Sequence, residues 1–214
     1  MIQIVKDSDT RPWFFLQTAH TTYGMWVMET GHLEHLYYGE RITVDSQNPS
    51  SCAPLVIQRA FAPGNTCTYD REHPQISMED ICLEVGTLGK GDIREPFWEV
   101  RFSDGSVTSD FTFDSYEVIT LKEREQCLQD SGLPHSYSEA ETDSAECLQI
   151  ILQDVTNHLE LQLFYTLFEE CDVITRSARL INHSDATVTL NRCLSAQLDL
   201  TEDYSMITHF SGAW

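Results

Sequence analysis

Positive charge is scarce in these 214 residues: 13 lysines and arginines stand against 34 aspartates and glutamates, a formal net charge of −21. Nucleic acids and anionic membranes are bound by Lys and Arg that neutralise phosphates, so neither is a partner for this chain. No stretch approaches the roughly 20 apolar residues of a membrane-spanning helix. The first residues, Met1-Ile-Gln-Ile-Val-Lys6-Asp7, lack the basic segment and apolar run of a secretory signal. Seven cysteines are present, odd in number and widely spread, and none forms a Cys-x-x-Cys pair. Zinc ribbons and thioredoxin chemistry therefore have no footing, and no metal or other cofactor is expected. The thiols suit a reducing cytoplasm, where cysteine acts as a small apolar residue.

Two catalytic signatures are missing as well. No Gly-x-Ser-x-Gly elbow occurs. The glycine-rich run Gly86-Thr-Leu-Gly-Lys-Gly-Asp92 lacks the Gly-Lys-Ser/Thr ending of a phosphate loop, and no helical pattern follows it, so it reads as a turn before a strand. Helical periodicity is almost absent along the whole chain. What remains is strand. Hydrophobic residues make up 41% and aromatics 10%, which is ample for a packed globule, and a chain of this size can bury roughly 70% of its unfolded surface.

The clearest pattern runs from Leu159 to Asn182. Leu159, Leu161, Leu163, Tyr165 and Leu167 alternate with Glu160 and Gln162, the period of a pleated strand. Phe164 and Phe168 interrupt the polar row, so the second face should be half covered. After the acidic link Glu169-Glu170-Cys171-Asp172, Ile174, Ala178 and Leu180 alternate with Thr175, Ser177 and Arg179, and Arg176 breaks the apolar row. The two halves should pair as a long antiparallel hairpin, and a two-stranded ribbon needs more sheet beside it.

The rest of the chain supplies it. Phe14 to Thr18 is short and apolar. Thr22 to Met28 and His32 to Tyr38 flank the turn Glu29-Thr30-Gly31, whose glycine is free to take positive φ. Residues 45 to 75 are turn-rich, and a loop of that length is uncommon unless it is functional; it is the candidate for a segment reaching away from the sheet. Phe97 to Phe102 and Val107 to Phe113 are expected to form a hairpin about Asp104-Gly105, followed by a strand from Tyr116 to Leu121. Lys122 to Asp130 reads as a helical turn or loop, and Ser136 to Glu146 as a solvated connection. Cys147 to Leu152, a long strand from Thr187 to Leu200, and a last run from Tyr204 to Trp214 complete the set. Ten or more such strands imply an all-β, two-layer antiparallel sandwich in one domain, residues 1–214.

Candidate chemistry is thin. His32 and His35, three apart in a strand, should lie on opposite faces and not share a metal. Asp92 and Glu95 flanking Arg94 look like a local salt bridge. Sugars stack on aromatic rings framed by polar groups, and Trp214 follows the small residues Ser211-Gly212-Ala213. From the residues alone it is either a ligand-stacking indole or a core or frayed terminal tryptophan.

Six motifs occur in order: Gly31-His-Leu-Glu-His-Leu-Tyr-Tyr-Gly39, Gly91-Asp-Ile-Arg-Glu-Pro96, Gly132-Leu-Pro134, Asp172-Val-Ile-Thr-Arg-Ser177, Leu194-Ser-Ala-Gln-Leu-Asp199 and Ser211-Gly-Ala-Trp214. Together they resemble the N-terminal domain of family-36 glycoside hydrolases, the bacterial and fungal α-galactosidases. The resemblance implies a β-supersandwich like that of the galactose-mutarotase group. It also implies a following (β/α)₈ barrel that carries both catalytic aspartates; nothing here resembles eight βα units, so no acid of this chain is expected to be catalytic. The parent reaction would be retaining hydrolysis of terminal α-galactosides such as melibiose or raffinose.

By the same resemblance Trp214 would line the galactose pocket. In related tetramers, a loop from this domain enters a neighbour's active site and contacts substrate through an aspartate before Arg-Ala-Phe. Here Gln58 precedes Arg59-Ala60-Phe61, an amide that can still hydrogen-bond a sugar hydroxyl. The implied partners are an α-galactoside oligosaccharide, the chain's own barrel and further copies of itself. The alternative reading is a stand-alone carbohydrate-binding module.

Overall fold

The structure is a computed structural model that describes residues 1–6, 11–56, 67–128 and 145–199. Its first sheet takes β1 (Ile2–Lys6), β2 (Pro12–Gln17), β3 (Thr21–Val27) and β4 (Leu33–Glu40) in sequence order. After β5 (Trp98–Arg101), the second sheet takes β6 (Thr112–Thr120), β7 (Glu146–Asp154), β8 (Leu159–Phe168) and β9 (Val173–Asn182), again in order, and β10 (Thr189–Cys193) returns to pair with β5. Among the described residues, each pairing between these strands is antiparallel.

Period-two patterning decides which side chains meet. Phe14, Leu16, Met25, Val27 and Leu33 of the first sheet share one core with Leu148, Ile150, Leu152 and the row Leu159 to Leu167 of the second. Burying a leucine-sized side chain contributes about 1.5–3 kcal/mol, so this interface is the main source of stability. Neither outer face is left bare. Trp13 and Phe15 point away from the main core and pack with Val5, Leu36 and Cys52, the last carried on a 3₁₀ helix, Pro49–Leu55. That second layer explains why β2 is buried along its whole length. On the second sheet Phe164 packs outward with Ile119, Cys147 and Leu128, beside α1 (Leu121–Cys127). The interruption of the polar row at Phe164 is therefore a second core face.

Two of the three expected hairpins form. Gly31 takes φ 84° in the β3–β4 turn, and β8 pairs with β9 without a bulge from Leu159↔Asn182 to Phe168↔Val173. Within the segment 122–130, the described part forms α1 (Leu121–Cys127), started by a capping box in which the side chains of Thr120 and Glu123 each bond the other's backbone N–H.

Two expectations fail. The Asp104-Gly105 turn closes, with Phe102 N donating to Ser106 O at 2.9 Å, but its arms do not pair. Beyond the turn, Ser109 N donates to Leu88 O at 3.3 Å and Asp110 N to Asp154 Oδ2 at 3.1 Å. These contacts draw the chain off before it can return along β5. The strands expected at 107–113 and 116–121 instead merge as β6, with a register shift between Phe113 and Ser115. The long strand expected from Thr187 to Leu200 shortens to β10, which bulges between Leu190 and Arg192. After Cys193 the chain leaves the ladder, held by Leu194 N donating to Phe97 O at 3.1 Å. The run Tyr204 to Trp214, Gly132-Leu-Pro134, most of Ser136–Glu146 and the centre of the 45–75 loop lie outside the described residues.

Candidate functional site

Arg176, which breaks the apolar row of β9, keeps its place in that row. It faces Tyr165 directly across the β8–β9 ladder, with its guanidinium 4.5 Å from the centre of the Phe97 ring. Nε donates to the Tyr165 hydroxyl at 3.1 Å, and Nη2 to the backbone carbonyl of Glu84 at 2.7 Å. The side chain is 10% exposed, and the Glu84 carboxylate, 3.7 Å away, is fully buried. A buried charge is tolerated when it is paired and hydrogen-bonded.

Glu84 reaches the interior because its segment runs along β4. His35 N donates to Cys82 O at 2.7 Å, and Glu84 N donates to Leu33 O at 3.0 Å. Its carboxylate accepts from the Tyr165 hydroxyl at 2.7 Å and from the Tyr23 hydroxyl. His35 Nδ1 stands 3.4 Å away. Burial alone would raise the Glu84 carboxyl, yet His35, Arg176 and Tyr23 outweigh it and hold it below the ordinary carboxylate range. Burial and the neighbouring carboxylate push the Tyr23 phenol well above its ordinary value. Burial does the same for Tyr165 against the opposing pull of Arg176. Burial lowers the Arg176 guanidinium, but Tyr165, Glu84 and Tyr23 more than reverse this, so the cation is retained. Both phenols thus stay protonated donors to an ionised carboxylate.

Above this cluster lies a cavity of about 230 Å³, lined by Tyr23, Tyr38, Tyr165, Ile174, Arg176 and the segment Ala196–Leu198, with Thr21 and Asp172 at one end. A bulge brings Tyr38 to it. Tyr23 pairs with Tyr38 and Met25 with His35, leaving an extra residue in β4 between them. Strict alternation would put His35 and Tyr38 on opposite faces; the bulge turns both inward against Tyr23, at ring distances of 4.8 and 6.0 Å.

The cavity's other wall is tied down at three points. Besides the Leu194 bond, Gln197 Oε1 accepts from Gly86 N at 2.8 Å, and Asp199 Oδ2 accepts from Arg94 Nη1 at 2.8 Å. Arg94 also bonds Asp92 and donates to the carbonyls of Met78 and Ile81 at 3.1 and 2.7 Å. The expected local pair is therefore Arg94–Asp92, within a larger hub, while Glu95 pairs with Arg192. The motif residues 91–96 and 194–199 are thus one contact.

Asp172 closes the β8–β9 turn with φ 53°. It accepts from Thr18 Oγ1 at 2.7 Å and His20 N at 2.8 Å, and its second oxygen lies 2.7 Å from His20 Nδ1. The bonds from His20 and Thr18 lower its carboxyl to about 2. The turns of the two sheets are joined there.

His32 and His35 serve separate clusters. His32 precedes β4 and bridges Thr30 and Asp110, both at 2.9 Å, and Asp110 also holds Lys90 at 2.9 Å and the Tyr69 hydroxyl at 3.0 Å. No group of three His, Cys, Asp or Glu is arranged to hold a metal among the described residues. The two residues assigned to substrate by resemblance, Gln58 and Trp214, lie outside the described residues. Glu84 carries no sequence signal, and Tyr38, although within the Gly31–Gly39 motif, is set on the cavity face by the bulge and not by alternation. Arg176 did carry one, as a cation in an otherwise apolar row.

The glycosyl hydrolase family 36 N-terminal domain matches residues 31–214. The alpha-galactosidase AgaA of Geobacillus stearothermophilus is 34% identical over 202 residues, 94% of this chain and 26% of AgaA. Among solved structures, the alpha-galactosidase from Lactobacillus brevis aligns with TM-score 0.73 at 30% identity, over 92% of this chain and 24% of that one. A variant of AgaA in complex with raffinose aligns with TM-score 0.73 at 29% identity, over 86% and 24%. The chain spans about a quarter of the length of the curated relatives it matches.

Proposed function

The chain belongs to the glycosyl hydrolase family 36 N-terminal domains, and from that premise we propose that it is the non-catalytic sandwich of a larger cytoplasmic α-galactosidase. The observation that carries this reading is coverage. The match takes nearly all of this chain but only 26% of AgaA, which supports a division in which the bond-breaking groups of such an enzyme belong to the part with no counterpart here. The whole enzyme would hydrolyse terminal α-galactosyl residues of melibiose- or raffinose-type oligosaccharides with retention of configuration, as two facing carboxylates allow.

This chain's contribution is to binding and support. Trp214 would offer its indole face to the galactose ring, and Gln58 an amide to a sugar hydroxyl in a neighbouring copy of a homo-oligomer. The ties at Leu194, Gln197 and Asp199 support the first role, because they fix the chain leading toward Trp214 to the sandwich. Leu190, Leu194 and Leu198 remain 41–43% exposed along that same stretch, which suits a surface that a further domain covers.

The test is hydrolysis of an aryl α-galactoside by residues 1–214 and by a chain continued through a following barrel. Only the longer chain should turn over, and Trp214→Ala there should raise KM. Turnover by residues 1–214 alone would refute the division of labour.

A further inference from the structure

We propose that the mouth of the Tyr38–Arg176 cavity and the exposed leucines beside it are the seat of the domain that follows residue 214, and that an apolar side chain of that domain fills the cavity. The inference rests on the assignment above and deepens it, by fixing where on this sandwich the remainder of such an enzyme docks.

What the cavity has left to offer is apolar. Tyr23, Tyr165 and Arg176 are turned onto Glu84, Asp172 is engaged by Thr18 and His20, and Gln197 Oε1 accepts from Gly86 N. The surfaces that remain are the Tyr38 ring, Ile174, Ala196 and Leu198. A polar occupant would give up hydration for few bonds in return, whereas an aliphatic or aromatic one gains close contacts with these walls. A helix is about 10 Å across, so a space of about 230 Å³ holds a side chain and not a turn of helix.

The mouth opens onto a strip of the same character. Tyr38 and Leu198 are each 41% exposed there, and Leu194 and Leu190 continue the chain's exposed apolar surface at 43% and 42%. No residue from Leu194 to Leu198 is charged, although the chain carries −21. Arg192 and Asp199 bound that run, and each is ion-paired, Arg192 to Glu95 and Asp199 to Arg94. An apolar centre inside a rim of charged pairs is the anatomy of a protein interface.

The path of the chain selects the occupant. Leu194, Gln197 and Asp199 are each bonded down onto the sandwich, so the strip is ordered before anything binds it and docking costs little further entropy. The described chain ends at Asp199, on the border of this strip. The family match, to an N-terminal domain, runs on to residue 214, and most of AgaA lies outside the 26% that is matched. A domain joined after residues 200–214 is held beside this face at a local concentration that a second copy of the chain does not reach.

The test is hydroxyl-radical footprinting of residues 1–214 and of the chain continued through a following barrel. Tyr38, Leu194 and Leu198 should react in the first and lose most of that reactivity in the second. Val155, 73% exposed in the turn that precedes β8, lies at the other end of that strand and should react equally in both. Ala196→Glu and Leu198→Glu, both at exposed positions, should leave the melting temperature of residues 1–214 unchanged and restore the reactivity of Tyr38 and Leu194 in the longer chain. Equal reactivity of the three residues in both chains would overturn the proposal, as would protection that survives both substitutions. So would a dimer of residues 1–214 that covers the same three residues in sedimentation and footprinting at roughly 0.1 mM, since a second copy would then be the occupant. Hydrolysis is read separately. A longer chain that turns over with the strip still reactive refutes the docking alone, and one that is inactive with the strip covered refutes the assignment alone.

Discussion

Arg176 and Tyr165 face each other across the β8–β9 ladder, and the 3.1 Å bond between Nε and the phenol oxygen continues as a 2.7 Å bond from that phenol to Glu84. The relay places a cation, a neutral donor and an anion in line through the middle of the sandwich. Each member is matched only while the others are present.

Removing one charge from this line should therefore cost more than removing both. Glu84→Gln leaves the buried guanidinium uncompensated and is expected to destabilise by about 3–5 kcal/mol. The double variant Glu84→Gln with Arg176→Met should cost less than the sum of the single changes, a coupling that a double-mutant cycle in urea would measure. Additive losses would show that the two charges do not stabilise one another.

Asp172 predicts an acid-sensitive link between the two sheets. Its carboxyl lies at about 2 in the fold, against about 3.9 in an unfolded chain. A depressed carboxyl contributes stability that is fully present above the unfolded value and is lost as pH falls through the folded one. The melting temperature of the wild type should exceed that of Asp172→Asn above about pH 4, and the two should converge by about pH 2. A constant gap across that window would remove the charge from the explanation.

Gly31 takes φ 84°, and an added Cβ would stand 3.1 Å from Cβ of Thr112. Gly31→Ala should cost about 1–2 kcal/mol for the left-handed backbone, with the crowding against Thr112 added to it. Gly31→Asn should recover part of the backbone cost, because asparagine tolerates this region better. Chemical denaturation of both variants orders them.

Arg94 holds Asp199 at 2.8 Å while bonding Asp92 and two backbone carbonyls. Arg94→Ala should raise hydrogen-exchange rates at the amide of Gly86, which donates to Gln197 on the tethered segment, and at that of Leu194, which begins the segment and donates to Phe97 O. The amides of β7 and β8 should be unaffected. In a longer, active chain the same variant should raise KM more than it lowers kcat, if this tether positions Trp214.

Much of this architecture was legible in the residues themselves. Alternation from Leu159 to Leu167 is a local property of a pleated strand, and it placed the β8 core face correctly. The turn glycine at 31 and the capping pair Thr120–Glu123 are equally local, since each acts within a few residues of itself. Other features depend on chain segments that meet only on folding. Glu84 and Arg176 are 92 positions apart, and no periodicity links a loop acid to a strand cation. One extra residue in β4 moved Tyr38 to the cavity face against strict alternation. β5 passed over its neighbour in sequence for β10 because polar contacts of Ser109 and Asp110 drew that neighbour away. Short-range sterics and periodicity are written along the chain, whereas the partner of a buried charge or an open strand edge is chosen by packing alone.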